Sequence, residues 1–160
     1  MNWSHSPQAK GLFEPAHERD SCGVGFVASI EGAPSHEIVR SAVQCVCNVT
    51  HRGALSADAK TGDGAGILTQ IPHPLFAKAL TQLKAEPVPQ GDLAVGMIFL
   101  PQQAAAAASV KRIVEAEIAA GGIRLLGWRE VPIDPSVLGE KALKTLPGIA
   151  QVLMGRPKAI

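Results

Sequence analysis

The sequence predicts a mixed α and β domain, because apolar strand-like runs alternate with segments whose apolar residues recur at helical spacing. Its 160 residues suit one domain, and an apolar content of 46% is enough for a core. Periodicity leaves two arrangements open, parallel winding and a layered antiparallel sandwich. The chain carries no internal repeat.

From Cys22 to Ile30 the pattern is that of a strand, with Val24, Phe26 and Ala28 on one face and glycines allowing close approach on the other. Gly32-Ala33-Pro34 breaks it. Ser35 is then placed to cap a helix with Glu37 in the favourable first turn, and Ile38, Ala42, Cys45, Val46 and Val49 fall on one buried stripe. Cys45 is thereby expected in the core and Cys47 on a different face. After a glycine-rich loop, Ile67 to Ile71 reads as a second strand and Pro74 to Leu83 as a second helix. Ala94 to Leu100, bounded by Gln90-Gly91-Asp92 and Pro101, is a strongly apolar strand. Gln102 to Ala120 forms a third helix with Val110, Val114 and Ile118 in register, and Gly121-Gly122 ends it. Its five consecutive alanines reflect helix propensity rather than disorder. Ile123 to Val131 is a further strand, and Lys141 to Leu146 a short helix stopped by Pro147.

Composition excludes several classes of partner. A net charge of +1 with scattered basic residues gives no electrostatic pull toward nucleic acid or an anionic membrane surface. No stretch approaches the roughly 20 apolar residues of a membrane span. Three cysteines do not make a disulfide framework, and a reduced, cytoplasmic compartment fits them best. Cys45 and Cys47 have no second pair downstream, so no metal site is expected. Residues 1–21 lack an apolar core and contain Glu14, Glu18 and Asp20, which disfavours a secretory signal and an organellar transit peptide alike.

The chemistry starts at Cys22. If the Ser21-Cys22 bond is cut, a thiol and a free α-amine share one residue. A thiol titrates near pH 8.5 and an α-amine at about 7.7 to 8.0, so the amine can accept the thiol proton at neutral pH. That makes a nucleophile carrying its own base, and residues 1–21 a removable leader. While the peptide bond is intact the nitrogen is an amide and cannot act as that base. The competing reading of Cys22 is a small buried hydrophobe.

Two further constellations follow. In Thr50-His51-Arg52-Gly53-Ala54, at the expected end of the first helix, His51 and Arg52 suit the helix dipole and Gly53 a left-handed terminal residue. Thr61-Gly62-Asp63-Gly64-Ala65-Gly66-Ile67 is a glycine-dense loop entering a strand. A flavin or nucleotide cradle fails there on spacing, since the loop has no Gly-Lys-Ser/Thr ending and does not open a helix. Close backbone approach is the better account of these glycines.

In this order and spacing, Cys22-Gly23-Val24-Gly25-Phe26, His51-Arg52-Gly53-Ala54 and Thr61–Ile67 closely resemble the class II glutamine amidotransferase domain that opens the large subunit of the glutamate synthases. Val95–Pro101 and Gly127–Pro132 are similar too, so the resemblance runs from residue 17 onward. It implies an N-terminal-nucleophile hydrolase of the α+β class, a four-layer αββα sandwich with largely antiparallel sheets, represented here by an incomplete domain over 22–160. Cys22 matches the nucleophile, exposed by loss of a propeptide over 1–21. Arg52 and Gly53 match the segment that orients nucleophile and substrate, and Gly62, Asp63, Gly64 and Gly66 match a signature to which a loop-shaping role is assigned.

The implied reaction is glutaminase chemistry, with glutamine hydrolysed through a cysteine thioester and ammonia passed to 2-oxoglutarate to give glutamate. The resemblance places no cofactor in this segment, and FMN and an iron–sulfur cluster in the rest of the parent enzyme. The implied partners are glutamine, the remainder of the large subunit and a small reductase subunit. Two family elements have no match in this sequence, the Asn-Gly pair that supplies oxyanion donors and an arginine that holds the substrate carboxylate: Asn2 is followed by Trp3 and Asn48 by Val49. A preorganised oxyanion donor contributes about 3 to 4 kcal/mol, so the segment alone is expected to be weakly active or inactive. The alternative is a noncatalytic interaction or binding fragment of the same fold.

Overall fold

The computed structural model describes residues 23–53, 57, 58, 60–62 and 64–157, and for Arg52 the backbone only. Its contacts divide these residues into two units: residues up to 53 with 64–67, and residues 57–62 with 68–157.

The first unit is built around helix α1, His36–Asn48. Ser35 caps it as expected: its backbone is extended and its hydroxyl accepts a hydrogen bond from the Glu37 amide at 3.0 Å. Ile38, Ala42, Cys45, Val46 and Val49 are half-buried, as is Val39 beside them, so the expected stripe has the right phase, although none of these is fully buried. Cys47 is exposed, on another face.

The expected strands over 22–30 and 67–71 are not formed. Residues 23–29 and 64–70 belong to no ladder, Val24 and Phe26 are 90% and 92% exposed, and Leu68 is fully exposed. A strand exists only where a neighbour takes up its backbone donors and acceptors. Among the described residues no strand lies beside either segment.

The second unit carries the sheet. Its elements are α2 (His73–Gln82), β1 (Leu93–Leu100), α3 (Ala104–Ala120), β2 (Arg124–Glu130), α4 (Glu140–Thr145) and β3 (Gly148–Gly155). The four elements expected beyond residue 90 are present, with ends shifted by one or two residues, and β3, which was not expected, completes the sheet. The strand order is β1-β3-β2 and both pairings are antiparallel, with Leu93 opposite Gly155 and Trp128 opposite Val152. β1 and β2 therefore run the same way, joined through α3, with β3 filling the gap between them.

Helices cover both faces of this sheet. Phe76, Ala79 and Leu80 of α2 form one buried cluster with Val88, Leu93 and Leu153. On the other face Trp128, paired across the ladder with the buried Val152, donates its ring N–H to Glu115 Oε1 of α3 at 2.7 Å, under the Lys111 ammonium. A bulge between Leu125 and Gly127 brings the β2 backbone against Leu83, where Gly127 sits at φ +145 and a Cβ would lie 3.1 Å from Leu83 Cδ1. Among the described residues no helix is long and apolar enough to cross a membrane.

Candidate active site

Cys22 and Asp63 lie outside the described residues. What the structure shows is how the segments around them are held. The chain leaves Cys22 as an extended run, and Gly25 in that run lies against α1: a Cβ built there would stand 2.5 Å from Cys45 Sγ. The half-buried stripe of α1 therefore receives the run that follows Cys22, at a position where only glycine fits.

At its other end α1 leads into the His51-Arg52-Gly53 motif. The helix stops at Asn48, with no basic residue in its last turn, and a separate 3₁₀ turn covers Thr50–Arg52. Its own bonds close it: the Thr50 hydroxyl donates to Cys47 O, a His51 Nδ1–H donates to Asn48 O at 3.2 Å, and the Gly53 amide donates to Thr50 O at 3.1 Å. Gly53 has φ −93 and ψ 145, an extended conformation open to any residue. The helix-end reading of this motif is thereby corrected in part: Gly53 is not the left-handed residue of α1, and residues 51 and 52 stand beyond its last turn, although His51 still donates to the carbonyl of Asn48, the last residue of the helix. One contact thus joins two of the motif segments, since the helix that ends in the Arg52 turn is the one on which the run after Cys22 packs.

The glycine loop behaves differently from expectation. Gly62, Gly64 and Gly66 are exposed, and a Cβ at Gly64 or Gly66 would meet nothing within 4 Å among the described residues. Neither of these two has positive φ, so left-handed turn geometry is not what places glycine there.

The sequence reading passed over a third feature, just before this loop. Asp58 Oδ1 accepts from the Lys60 amide at 3.1 Å and the Thr61 amide at 2.8 Å, and Oδ2 accepts from the Thr61 hydroxyl at 2.6 Å. Those bonds, the Thr61 hydroxyl foremost, hold the Asp58 carboxyl down from 3.8 to about 2, and Lys141 adds a smaller attraction of the same sign. Asp-x-x-Thr is a legible turn signal of side chain to backbone. Its docking partner, Gly139, lies far along the chain and has no local signature.

Comparison with known proteins gives the chain a family. The family pattern of the class-II glutamine amidotransferases matches residues 22–160, and the chain belongs to that family. It is 43% identical over 149 residues to the glutamate synthase [NADPH] large chain of Azospirillum brasilense, across 92% of this chain and 10% of that protein. It is 43% identical over 142 residues to ferredoxin-dependent glutamate synthase 2 of Synechocystis, across 88% of this chain and 9% of that one. With the glutamate synthase [NADH] of Schizosaccharomyces pombe it shares 40% identity over 145 residues, covering 91% and 7% respectively. The chain spans about a tenth or less of the length of these relatives.

Proposed function

We propose that this chain supplies the glutamine-hydrolysing site of a glutamate synthase, with Cys22 as nucleophile. The observation that carries the reading is where the family match begins. It opens at Cys22, the residue whose thiol and amine the chemistry requires to be adjacent.

In this reading the Cys22 α-amine takes the thiol proton, and the sulfur attacks the side-chain carbonyl carbon of glutamine. Collapse of the tetrahedral adduct breaks the C–N bond, the proton passes to the leaving nitrogen, and ammonia departs from a glutamyl thioester. Water then attacks the thioester, releasing glutamate and restoring the thiol. Arg52 and Gly53 take the role of orienting nucleophile and substrate, which suits a turn closed by its own hydrogen bonds. The open surroundings of Gly64 and Gly66 suit backbone approach by a ligand or by another part of the protein. The four-layer N-terminal-nucleophile sandwich is the proposed frame, to which the described sheet contributes three antiparallel strands.

The proposed partners are glutamine, the rest of a large synthase chain and a small reductase subunit, with cytoplasmic location. FMN and iron–sulfur chemistry belong in this proposal to the rest of that chain. Half-buried Cys45 and exposed Cys47 lie on different faces of α1, which does not suit shared ligation of a cluster by the pair.

The test is Cys22→Ala in the complete synthase polypeptide. Glutamine-dependent glutamate formation should vanish while ammonia-dependent formation persists. Glutamine turnover that survives the substitution would remove Cys22 from the reaction.

A further inference from the structure

The segment between the two motifs has an allegiance of its own. Residues on either side of it, up to 53 and from 64 to 67, belong to the unit that holds α1, whereas 57, 58 and 60–62 belong to the sheet-bearing unit. Within a dozen or so positions the backbone passes from one unit to the other and back. We propose that Asp58, Thr61 and Gly139 form a latch that fastens this segment to the sheet-bearing unit, and that they act as positioning residues for the motifs on either side of it. The inference rests on the glutaminase reading for what is positioned, and on contacts within one unit for the latch itself.

Three observations build the latch. The loop half is a closed piece, because the Asp58 carboxylate satisfies the amides of Lys60 and Thr61 together with the Thr61 hydroxyl. It can therefore dock with its polar groups already paired. The receiving half is Gly139, the residue that starts α4. It is buried, and a Cβ there would collide with Thr61 Oγ1 and Asp58 Oδ2 and stand 2.9 Å from the Thr61 amide nitrogen. Its φ of −73 and ψ of 160 are open to any residue, so contact with the loop, and not backbone strain, is what requires glycine.

The anchor is also firm. Gln102 Nε2, just before α3, donates to Lys144 O at 3.1 Å and Leu146 O at 2.9 Å, which ties the end of α4 to the start of α3. Leu143 N donates to Gly139 O at 3.0 Å, closing the first turn. The loop is thus seated at the start of a helix whose far end is tied to the start of α3, and Lys141 of that helix attracts the Asp58 carboxylate. In the sequence Asp58 follows Gly53 by five positions and Thr61 precedes Gly64 by three. A displacement of about 1 Å at such a point can cost around a hundredfold in a reaction that depends on alignment.

Gly139→Ala in the complete synthase polypeptide tests this, because it deletes no bond and only forces the latch apart. Four quantities are read: kcat/KM for glutamine, the ammonia-dependent rate, the melting temperature, and amide hydrogen exchange across residues 57–66. The expected result is a loss of about tenfold or more in kcat/KM for glutamine with the ammonia-dependent rate kept within about twofold, an unchanged melting temperature and faster exchange in the loop. Asp58→Asn, which keeps the Oδ1 acceptor, should retain more glutamine activity than Asp58→Ala. Slow exchange in Gly139→Ala equal to wild type would overturn the latch. Faster exchange with glutamine kcat/KM changed less than about twofold would overturn the positioning role, as would parallel loss of both rates and of melting temperature. A wild-type protein that does not use glutamine counts against the proposed function instead, and the exchange arm still decides the latch.

Discussion

Gly25→Ala is the sharpest probe of the segment that follows the proposed nucleophile. The added methyl carbon would sit 2.5 Å from Cys45 Sγ, where unstrained heavy atoms keep roughly 3.5 to 4.0 Å. The contact must open by about 1 to 1.5 Å. Cys45 has a single side-chain torsion, and in a helix one of its three staggered positions clashes with the preceding turn. Rotation of the thiol therefore gives limited relief, and overpacking of this kind costs about 1 to 3 kcal/mol. If the run starting at Cys22 moves instead, a shift of about 1 Å lowers glutamine turnover by up to a hundredfold. The assay is glutamine-dependent against ammonia-dependent glutamate formation in the complete synthase, together with a thermal melt. Gly25→Ala should lower the glutamine-dependent rate selectively, and the double variant Gly25→Ala/Cys45→Ala, which removes the sulfur, should recover most of the loss. A neutral single variant, or a double variant no better than the single, would show that the Gly25–Cys45 contact does not place the nucleophile.

Two other outcomes follow from the second unit. Leu153→Ala empties a site with 0% exposure at the centre of β3, and should lower stability by about 2 to 5 kcal/mol in a denaturant melt; a loss under about 1 kcal/mol would contradict the placement of the core. The Asp58 carboxyl should titrate with a midpoint of about 2 instead of 3.8, followed by its NMR chemical shift. A depressed folded value means that the stabilisation from its hydrogen bonds is complete above pH 3.8 and is lost as pH falls toward 2. A midpoint at the ordinary value would deny the Thr61 bonds.

How much of this was legible depended on whether a residue's role is local. The helix over 36–48 announced itself through Ser35 and Glu37, which act within one turn, and the end of α3 through Gly122, whose φ of +67 supplies the left-handed step after Ala120. β1 could be read from its apolar run between Gly91 and Pro101, whereas β3, which fills the gap between β1 and β2, was not among the expected elements. The strands over 22–30 and 67–71 carry the same local signal. Local signal does not supply a neighbouring strand, and Val24, Phe26 and Leu68 stand exposed for want of one among the described residues. The helix-end account of Gly53 failed for a related reason: α1 ends five residues before it, and a 3₁₀ turn built from Thr50 and His51 intervenes.

The candidate site divides along the same line. Cys22 is conspicuous because the chemistry proposed for it is contained in one residue, and it is also where the family match opens. Gly25 and Gly139 are not conspicuous, since each is glycine on account of a side chain about twenty residues distant in one case and about eighty in the other. Both nonetheless serve the same physical end. At each, the missing Cβ lets a loop or extended segment close onto a helix, and neither has a φ that demands glycine. Close approach therefore explains the glycines that hold motif-bearing segments in place, whereas Gly64 and Gly66, with nothing near them among the described residues, are left facing outward. If the glutaminase reading holds, alanine at Gly25 or Gly139 acts through displacement of what is attached, and relief of the crowding atom restores function without altering the nucleophile.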